Sequence, residues 1–211
     1  KKLIATACCL AISCLGADMS LSNLIQYDKA TCIERLEKAN TGELWDVFLE
    51  GQAALFFDAE FRWISNGDWW DTSARILEIG SGNGAYLSRL ADQFHAKTFR
   101  GVEILPLSVN QANEHYARDN LAFREGDAEI FDAQLMDSAD IVLFRLTLQH
   151  LKDSSTALKN AANYLSANGY VLIIDACDMA KRTSHPISAI DAALRLVAET
   201  QNKNGKGNRK V

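Results

Sequence analysis

Residues 75–84, Arg-Ile-Leu-Glu-Ile-Gly-Ser-Gly-Asn-Gly, constrain this chain more than any other segment. Ile76, Leu77 and Ile79 read as an apolar strand that runs into glycines at positions 80, 82 and 84, with Glu78 two residues before the first of them. Glycine reaches φ > 0 without strain and lets a ligand approach the backbone where a Cβ would otherwise stand. Ala85 to Ala91 follow at once, with Leu87, Leu90 and Ala91 at helical spacing. Strand, glycine turn and helix in this order form a cradle of the kind that holds a nucleotide-like ligand.

The same alternation continues downstream. The pattern predicts strands at 75–79, 98–103, 121–125, 139–145 and 169–175. Between them it predicts helices at 85–94, 107–118, a short one near 129–135, and 154–166. Such alternation specifies an α/β fold, a doubly wound, mostly parallel sheet with helices on both faces. Right-handed crossovers place the strand C-termini along one edge, where ligands bind. Upstream, residues 20–66 read as helical, broken at Asn40-Thr41-Gly42-Glu43 with Thr41 as N-cap. Leu44, Val47, Phe48, Leu55, Phe56 and Phe61 are expected to continue the buried face. Pro186 opens a last helix at about 187–201, and no further strand follows. The outer edge of the fifth strand is therefore expected to lack a covering hairpin, which offers a homodimer contact.

A length of 211 residues suits one sizeable domain. The expected organisation is a signal-like or leader segment at 1–18, a helical extension at 19–70, a ligand-binding domain at 71–203 and a disordered basic tail at 204–211. The formal net charge of −5 argues against a nucleic-acid partner. Lys1-Lys2 precede an uncharged apolar stretch from Leu3 to Ala17. That layout fits an export signal, a buried N-terminal helix, or sequence upstream of a start at Met19. A cytoplasmic location is expected, with export or anchoring through the N-terminal stretch as the alternative. The stretch is short for a membrane span, and any membrane contact is expected through residues 3–17 alone. Cys8, Cys9 and Cys14 lie inside it, leaving Cys32 and Cys177, so no disulfide framework is implied. No metal site is expected.

Glycine turns after a first strand serve two large cofactor groups, and Gly80, Gly82 and Ala85 also satisfy the dinucleotide pattern. Glu78 argues against a dinucleotide, because a carboxylate there would repel a pyrophosphate and would suit an ammonium or sulfonium centre. Glu103, ending the second strand, can accept hydrogen bonds from both hydroxyls of a ribose, which either cofactor wants. Asp127, in Gly126-Asp127-Ala128-Glu129 after the third strand, can accept from an exocyclic adenine amine while the next N–H donates to the ring. Ile104 and Ile130 are placed to sandwich that base.

Glu78–Gly84, Glu103, Gly126-Asp127-Ala128, Leu143–Asp153 and Leu165–Asp175 together resemble the Rossmann-like (class I) S-adenosylmethionine-dependent methyltransferases over about residues 70–178. The resemblance implies S-adenosyl-L-methionine as cofactor and in-line transfer of its methyl group to an acceptor, here expected to be a small molecule. It implies that Gly80, Ser81, Gly82 and Gly84 wrap the methionine part with Glu78 beneath it. Glu103 would hold the ribose, Asp127 and Ala128 the adenine with Ile104 beside it, and Arg145 would line the methionine end through its carbonyl. Tyr27 matches a tyrosine that closes over the cofactor. His150 is the candidate base, while His115 on an outer helix and His185 in a loop have no partner visible in sequence. Trp63, Trp69 and Trp70 read either as an acceptor lid or as core and helix-end anchors. The family's closing antiparallel hairpin finds no counterpart in the pattern. No Asn/Asp-Pro-Pro-Tyr/Phe segment follows the fourth strand, which argues against methylation of bases or glutamine amides. A nicotinamide-dependent oxidoreductase and a truncated cofactor-binding protein without turnover remain the alternatives.

Overall fold

The computed structural model describes residues 2–3, 41–134 and 138–175. Tyr27, His185, Cys32, Cys177, the 187–201 helix and the basic tail lie outside the described residues. In chain order the elements are β1 (Lys2–Leu3), α1 (Thr41–Ser65), α2 (Asp68–Asp71), β2 (Arg75–Ile79), α3 (Ala85–Gln93) and β3 (Thr98–Glu103). There follow α4 (Pro106–Tyr116), β4 (Leu121–Glu125), β5 (Ala139–Arg145), a 3₁₀ turn (Leu148–His150), α5 (Ser154–Tyr164) and β6 (Leu165–Ile174). Among the described residues no helix is long and apolar enough to cross a membrane.

The strands form one sheet in the order β1-β6-β5-β2-β3-β4, and every pairing between them is parallel. The chain steps outward from β2 to β3 and β4, then returns to β5 on the other flank of β2. That reversal sets the topological switch point between β2 and β5, where a crevice opens at the carboxyl ends of the strands. Side chains alternate across the sheet with period 2. Ile76, Phe99, Leu121, Ile141 and Leu172 pack on one face against α1, α3 and α4. Leu77, Val102, Val142, Phe144 and Val171 pack on the other against Ala157, Ala161 and Tyr164 of α5. Both faces are covered, so the central strands are continuous apolar runs.

Local chemistry explains the boundaries. Pro106 starts α4, where its missing N–H is not needed. Asp153 caps α5 by accepting from the Thr156 N–H at 3.0 Å. Arg75 and Asp140 lock the amino ends of β2 and β5 together, Nη2 to Oδ1 at 3.0 Å.

The structure corrects several expectations. Thr41, expected as an N-cap, is the first residue of the 25-residue helix α1. On that helix Phe48 and Leu55 are exposed; Ala53, Phe57 and Ile64 make the buried stripe instead. Residues 129–134 form turns and no helix, held by Asx turns in which Asp127 and Asp132 accept from the N–H two residues on. Helix α5 stops at Tyr164, and β6 begins four residues earlier than expected. Its register jumps from Ala139↔Leu165 to Ile141↔Tyr170, an irregularity that the alternation of apolar residues does not signal. The edge of β6 is not bare: Lys2 and Leu3 pair with Tyr170 and Val171.

Candidate functional site

The carboxyl ends of β2, β3, β4 and β5 converge on a cavity of about 670 Å³, roofed by α1. Its floor is the glycine turn. Gly80, Gly82 and Gly84 all take positive φ, at 78°, 55° and 80°. The turn is pinned from below by the Val102 carbonyl, which accepts from the N–H groups of Gly80 at 2.7 Å and Ser81 at 3.0 Å. It is pinned from above by α1, where the Asp46 carbonyl accepts from Asn83 Nδ2 at 3.3 Å.

Of the residues expected to hold a cofactor, Glu78, Gly80, Ser81, Gly82, Glu103, Ile104, Asp127, Ala128 and Arg145 line this cavity, and so does His150. Gly84 does not. A Cβ there would run into the Phe123 ring and Ala112, so this glycine serves the packing of α3 against β4 and α4. Ile130 also falls outside, 64% exposed, while Leu151 stands on the cavity wall.

Glu103 does two jobs at once. Its Oε2 accepts from the Gly82 N–H at 3.0 Å and its Oε1 from the Leu105 N–H at 3.1 Å, which fixes the carboxylate at the rim. Each oxygen retains capacity for a further donor. Asp127 Oδ1 accepts from the Glu129 N–H at 2.8 Å, and Glu129 Oε1 in turn accepts from the Lys152 and Asp153 N–H groups at 2.8 and 3.2 Å. The loop after β4 is thereby tied to the loop after β5.

Deeper in the cavity the polarity is unbalanced. Glu78 is buried, and among the described residues neither its Oε2 nor Ser81 Oγ has a hydrogen-bond partner. Burial raises the Glu78 carboxyl to about pH 8; Arg145 opposes this, and the neighbouring Glu60 and Glu103 charges add to it. Arg145 is engaged elsewhere: Nε and Nη2 donate to the two Glu60 oxygens at 2.7 and 3.3 Å, and the guanidinium lies 4.2 Å over the Tyr86 ring. The Arg145 carbonyl, expected to face the ligand, accepts from Thr147 Oγ1 at 3.0 Å. Leu146, between them, has φ 54°, a left-handed conformation rare for a branched residue and typical of constrained sites.

Three features were not foreseen. Glu60 is the charge partner of Arg145. Thr147 packs against Gly80. The aromatic pair at the cavity mouth is Trp45 and Phe48, stacked at 5.3 Å and about half exposed, at 47% and 52%. Trp63, Trp69 and Trp70 form no lid over this cavity. Trp70 is buried against Phe94 at 5.0 Å, and Trp63 and Trp69 line a separate cavity of about 280 Å³ beside Tyr170. His115 ends α4 beside Tyr116. Among the described residues no group of metal-ligating side chains occurs.

Residues 71–208 match the family of methyltransferase domains. The chain belongs to that family. Its fold and recognised motifs are those of the class I S-adenosylmethionine-dependent methyltransferases. Methyltransferase tpcM of Aspergillus fumigatus is 27% identical over 135 residues, 62% of this chain and 40% of the relative. Malonyl-[acyl-carrier protein] O-methyltransferase of Bacillus anthracis is 26% identical over 102 residues, 48% of this chain and 37% of the relative. The matched part thus spans well under two thirds of either relative. Streptomyces venezuelae DesVI shares the fold at a TM-score of 0.51 and 17% identity, over 64% of this chain and 57% of that one.

Proposed function

We propose that the protein is an S-adenosylmethionine-dependent methyltransferase acting on a small-molecule acceptor. The observation that carries the reading is the buried Glu78 carboxyl with an orphaned oxygen, on the wall of a cavity whose rim carries the fixed carboxylates Glu103 and Asp127. A cation at the floor and hydroxyl and amine donors at the rim would satisfy all three, and S-adenosylmethionine presents these groups in one molecule. A diphosphate would bring further negative charge beside Glu78 and Glu103, which disfavours a dinucleotide.

The residues present fit the cofactor and divide the work. Glu78 and Ser81 would take the methionine end, Glu103 the ribose hydroxyls, and Asp127 with the Ala128 backbone the adenine, against the apolar side of Ile104. The cofactor supplies a methyl group already activated on a sulfonium sulfur, so alignment and exclusion of water contribute most of the acceleration. Trp45 and Phe48 supply an apolar wall at the mouth for an acceptor, and their rings would displace water from it. His150, exposed on the 3₁₀ turn and on the same cavity, is placed to receive a proton from an acceptor that must lose one. The relative from Bacillus anthracis is an O-methyltransferase, which makes oxygen acceptors the first to try.

The test is a binding and transfer assay with methyl-labelled S-adenosylmethionine, first for affinity and then against a panel of hydroxyl, amine and thiol acceptors. Binding of the cofactor with micromolar affinity and label in an acceptor support the reading. Binding of NADH in preference to S-adenosylmethionine overturns it.

A further inference from the structure

A buried cluster beneath the cavity sets two carboxyls, Glu60 and Glu78, near one guanidinium, that of Arg145. Glu60, on α1, takes both of the Arg145 donors that point its way, while Glu78, on β2, keeps one oxygen at the cavity that has no partner among the described residues. Both partners of the ion pair are almost wholly buried, at 6% and 3% side-chain exposure. Tyr86 completes the arrangement from α3 by presenting its ring face to the guanidinium at 4.2 Å. Helix α1 thus reaches 85 positions along the chain to occupy the cation that stands next to the ligand-facing carboxyl.

We propose that Glu60 is a positioning residue that, by holding Arg145 against Tyr86, reserves the Glu78 carboxyl for the cationic end of the bound ligand. The charge balance explains the device. Glu60 holds the Arg145 guanidinium in an ion pair, so Arg145 offsets the burial of Glu78 only in part, and the Glu78 carboxyl keeps its proton until a ligand brings a cation. A cation then enters, the Glu78 proton leaves to solvent, and the cluster ends with two carboxylates facing two cations. If Glu60 were neutral, Arg145 would claim Glu78 and compete with the ligand. Among the described residues, the titratable groups that face Glu78 are Glu60 from α1, Tyr86 from α3, Glu103 from β3 and Arg145 from β5. Asp127, Glu129, His150 and Lys152 line the same cavity.

This inference rests on the reading of the site as a S-adenosylmethionine site, and the test separates the two. Calorimetry at pH 7 in two buffers of different ionisation enthalpy compares S-adenosylmethionine with 5′-methylthioadenosine, which keeps the nucleoside and lacks any cation. The wild-type protein should release on the order of one proton with the first ligand and none with the second. Glu60→Gln should abolish that release and weaken S-adenosylmethionine about tenfold or more, leaving 5′-methylthioadenosine within about twofold. Equal weakening of both ligands would mark a merely structural role and overturn the proposal. The double variant Glu60→Gln/Arg145→Gln buries no lone charge, so it serves even where the single variant fails to fold. It should regain proton release, because no guanidinium is left to claim Glu78; its failure to do so overturns the proposal. Binding of both ligands to the wild-type protein without proton release overturns the Glu60 role alone. Failure of both to bind overturns the cofactor reading as well.

Discussion

Thr147 fills the space in which a side chain on Gly80 would stand. A Cβ built on Gly80 would fall well inside contact distance of the Thr147 Cγ2 and Oγ1 atoms. The two residues follow β2 and β5, the strands that flank the switch point, so this contact closes the crevice at its base. The hydroxyl holds the threonine there by donating to the Arg145 carbonyl at 3.0 Å. Gly80→Ala should destabilise the fold twice over, by about 1–2 kcal/mol for its left-handed backbone and by a further amount for the clash. Thr147→Ala in the same chain should recover the second part and not the first. Denaturant unfolding of the two single variants and the double variant measures the coupling, and additive effects would show that the two side chains do not compete for this space.

Glu78 makes stability and binding respond to pH in opposite ways. Its carboxyl titrates near 4.5 in the unfolded chain and at about 8 in the folded one, raised chiefly by burial. The folded state therefore binds the extra proton, and that stabilisation is full below pH 4.5 and is lost as pH rises through 8. Without ligand, the wild-type protein should lose about 2–4 kcal/mol between pH 5 and pH 9 from this group. Glu78→Gln should remove most of that slope and be the more stable protein at pH 9, while binding S-adenosylmethionine more weakly. Thermal unfolding against pH, with and without the ligand, reads both effects. A slope shared by the wild type and the variant would assign it to another group.

The glycine turn and the strand ends were legible because their signals are local. Gly80, Gly82 and the carboxylates Glu78, Glu103 and Asp127 each sit where a strand stops, and the parallel topology brings strand ends together. Glu60 was not legible in the sequence; in the structure it is a carboxylate on the buried stripe of Ala53, Phe57 and Ile64. Its partner is 85 residues away, and nothing in a helical period names it. Phe48 was misread for the complementary reason. Helical spacing marks an apolar face without saying whether protein or ligand covers it, and Phe48 faces the cavity mouth. The start of β6 escaped because Ser166-Ala167-Asn168-Gly169 has turn composition, yet it bulges beside Ala139 within the strand. Gly169 permits this, since a Cβ there would press on the Ala139 and Asp140 carbonyls.

Glu103 and Asp127 should separate by what else they hold. Asp127→Ala should weaken S-adenosylmethionine binding by about 1–3 kcal/mol, the usual loss for a hydrogen bond to a partly buried ligand. Glu103→Ala should lose a comparable amount in affinity and also lower stability, because it releases the Gly82 and Leu105 N–H groups. Calorimetric affinity beside a melting curve measures the pair. Unchanged affinity in both variants, with the fold intact, removes the assignment of ribose and adenine to this rim.

Trp45 offers an optical test of where the ligand sits. It is half exposed at the cavity, whereas Trp70 is buried in the core and Trp63 and Trp69 line the other cavity. Titration with S-adenosylmethionine should change the intrinsic fluorescence, and Trp45→Phe should remove most of the change. A response that survives this substitution would place the ligand nearer another tryptophan.

The Arg75–Asp140 pair sets the behaviour in acid. Burial works to raise the Asp140 carboxyl, but Arg75 and the N–H groups of Ala74 and Arg75 outweigh it and hold the group at about 2. Both N–H groups donate to Oδ2 at 3.0 Å, so the carboxylate secures the amino ends of β2 and β5 as well as pairing with the guanidinium. A depressed carboxyl contributes stability above its unfolded value of 3.8, and that contribution is lost as pH falls through 2. The arginine is partly exposed, and solvent screening reduces the expected contribution to about 1 kcal/mol. Asp140→Asn should therefore cost about 1 kcal/mol at pH 7, with the difference closing below pH 2. Urea unfolding at pH 7, 4 and 2 measures it. A deficit that persists unchanged at pH 2 would mean that the aspartate acts through its shape and not its charge.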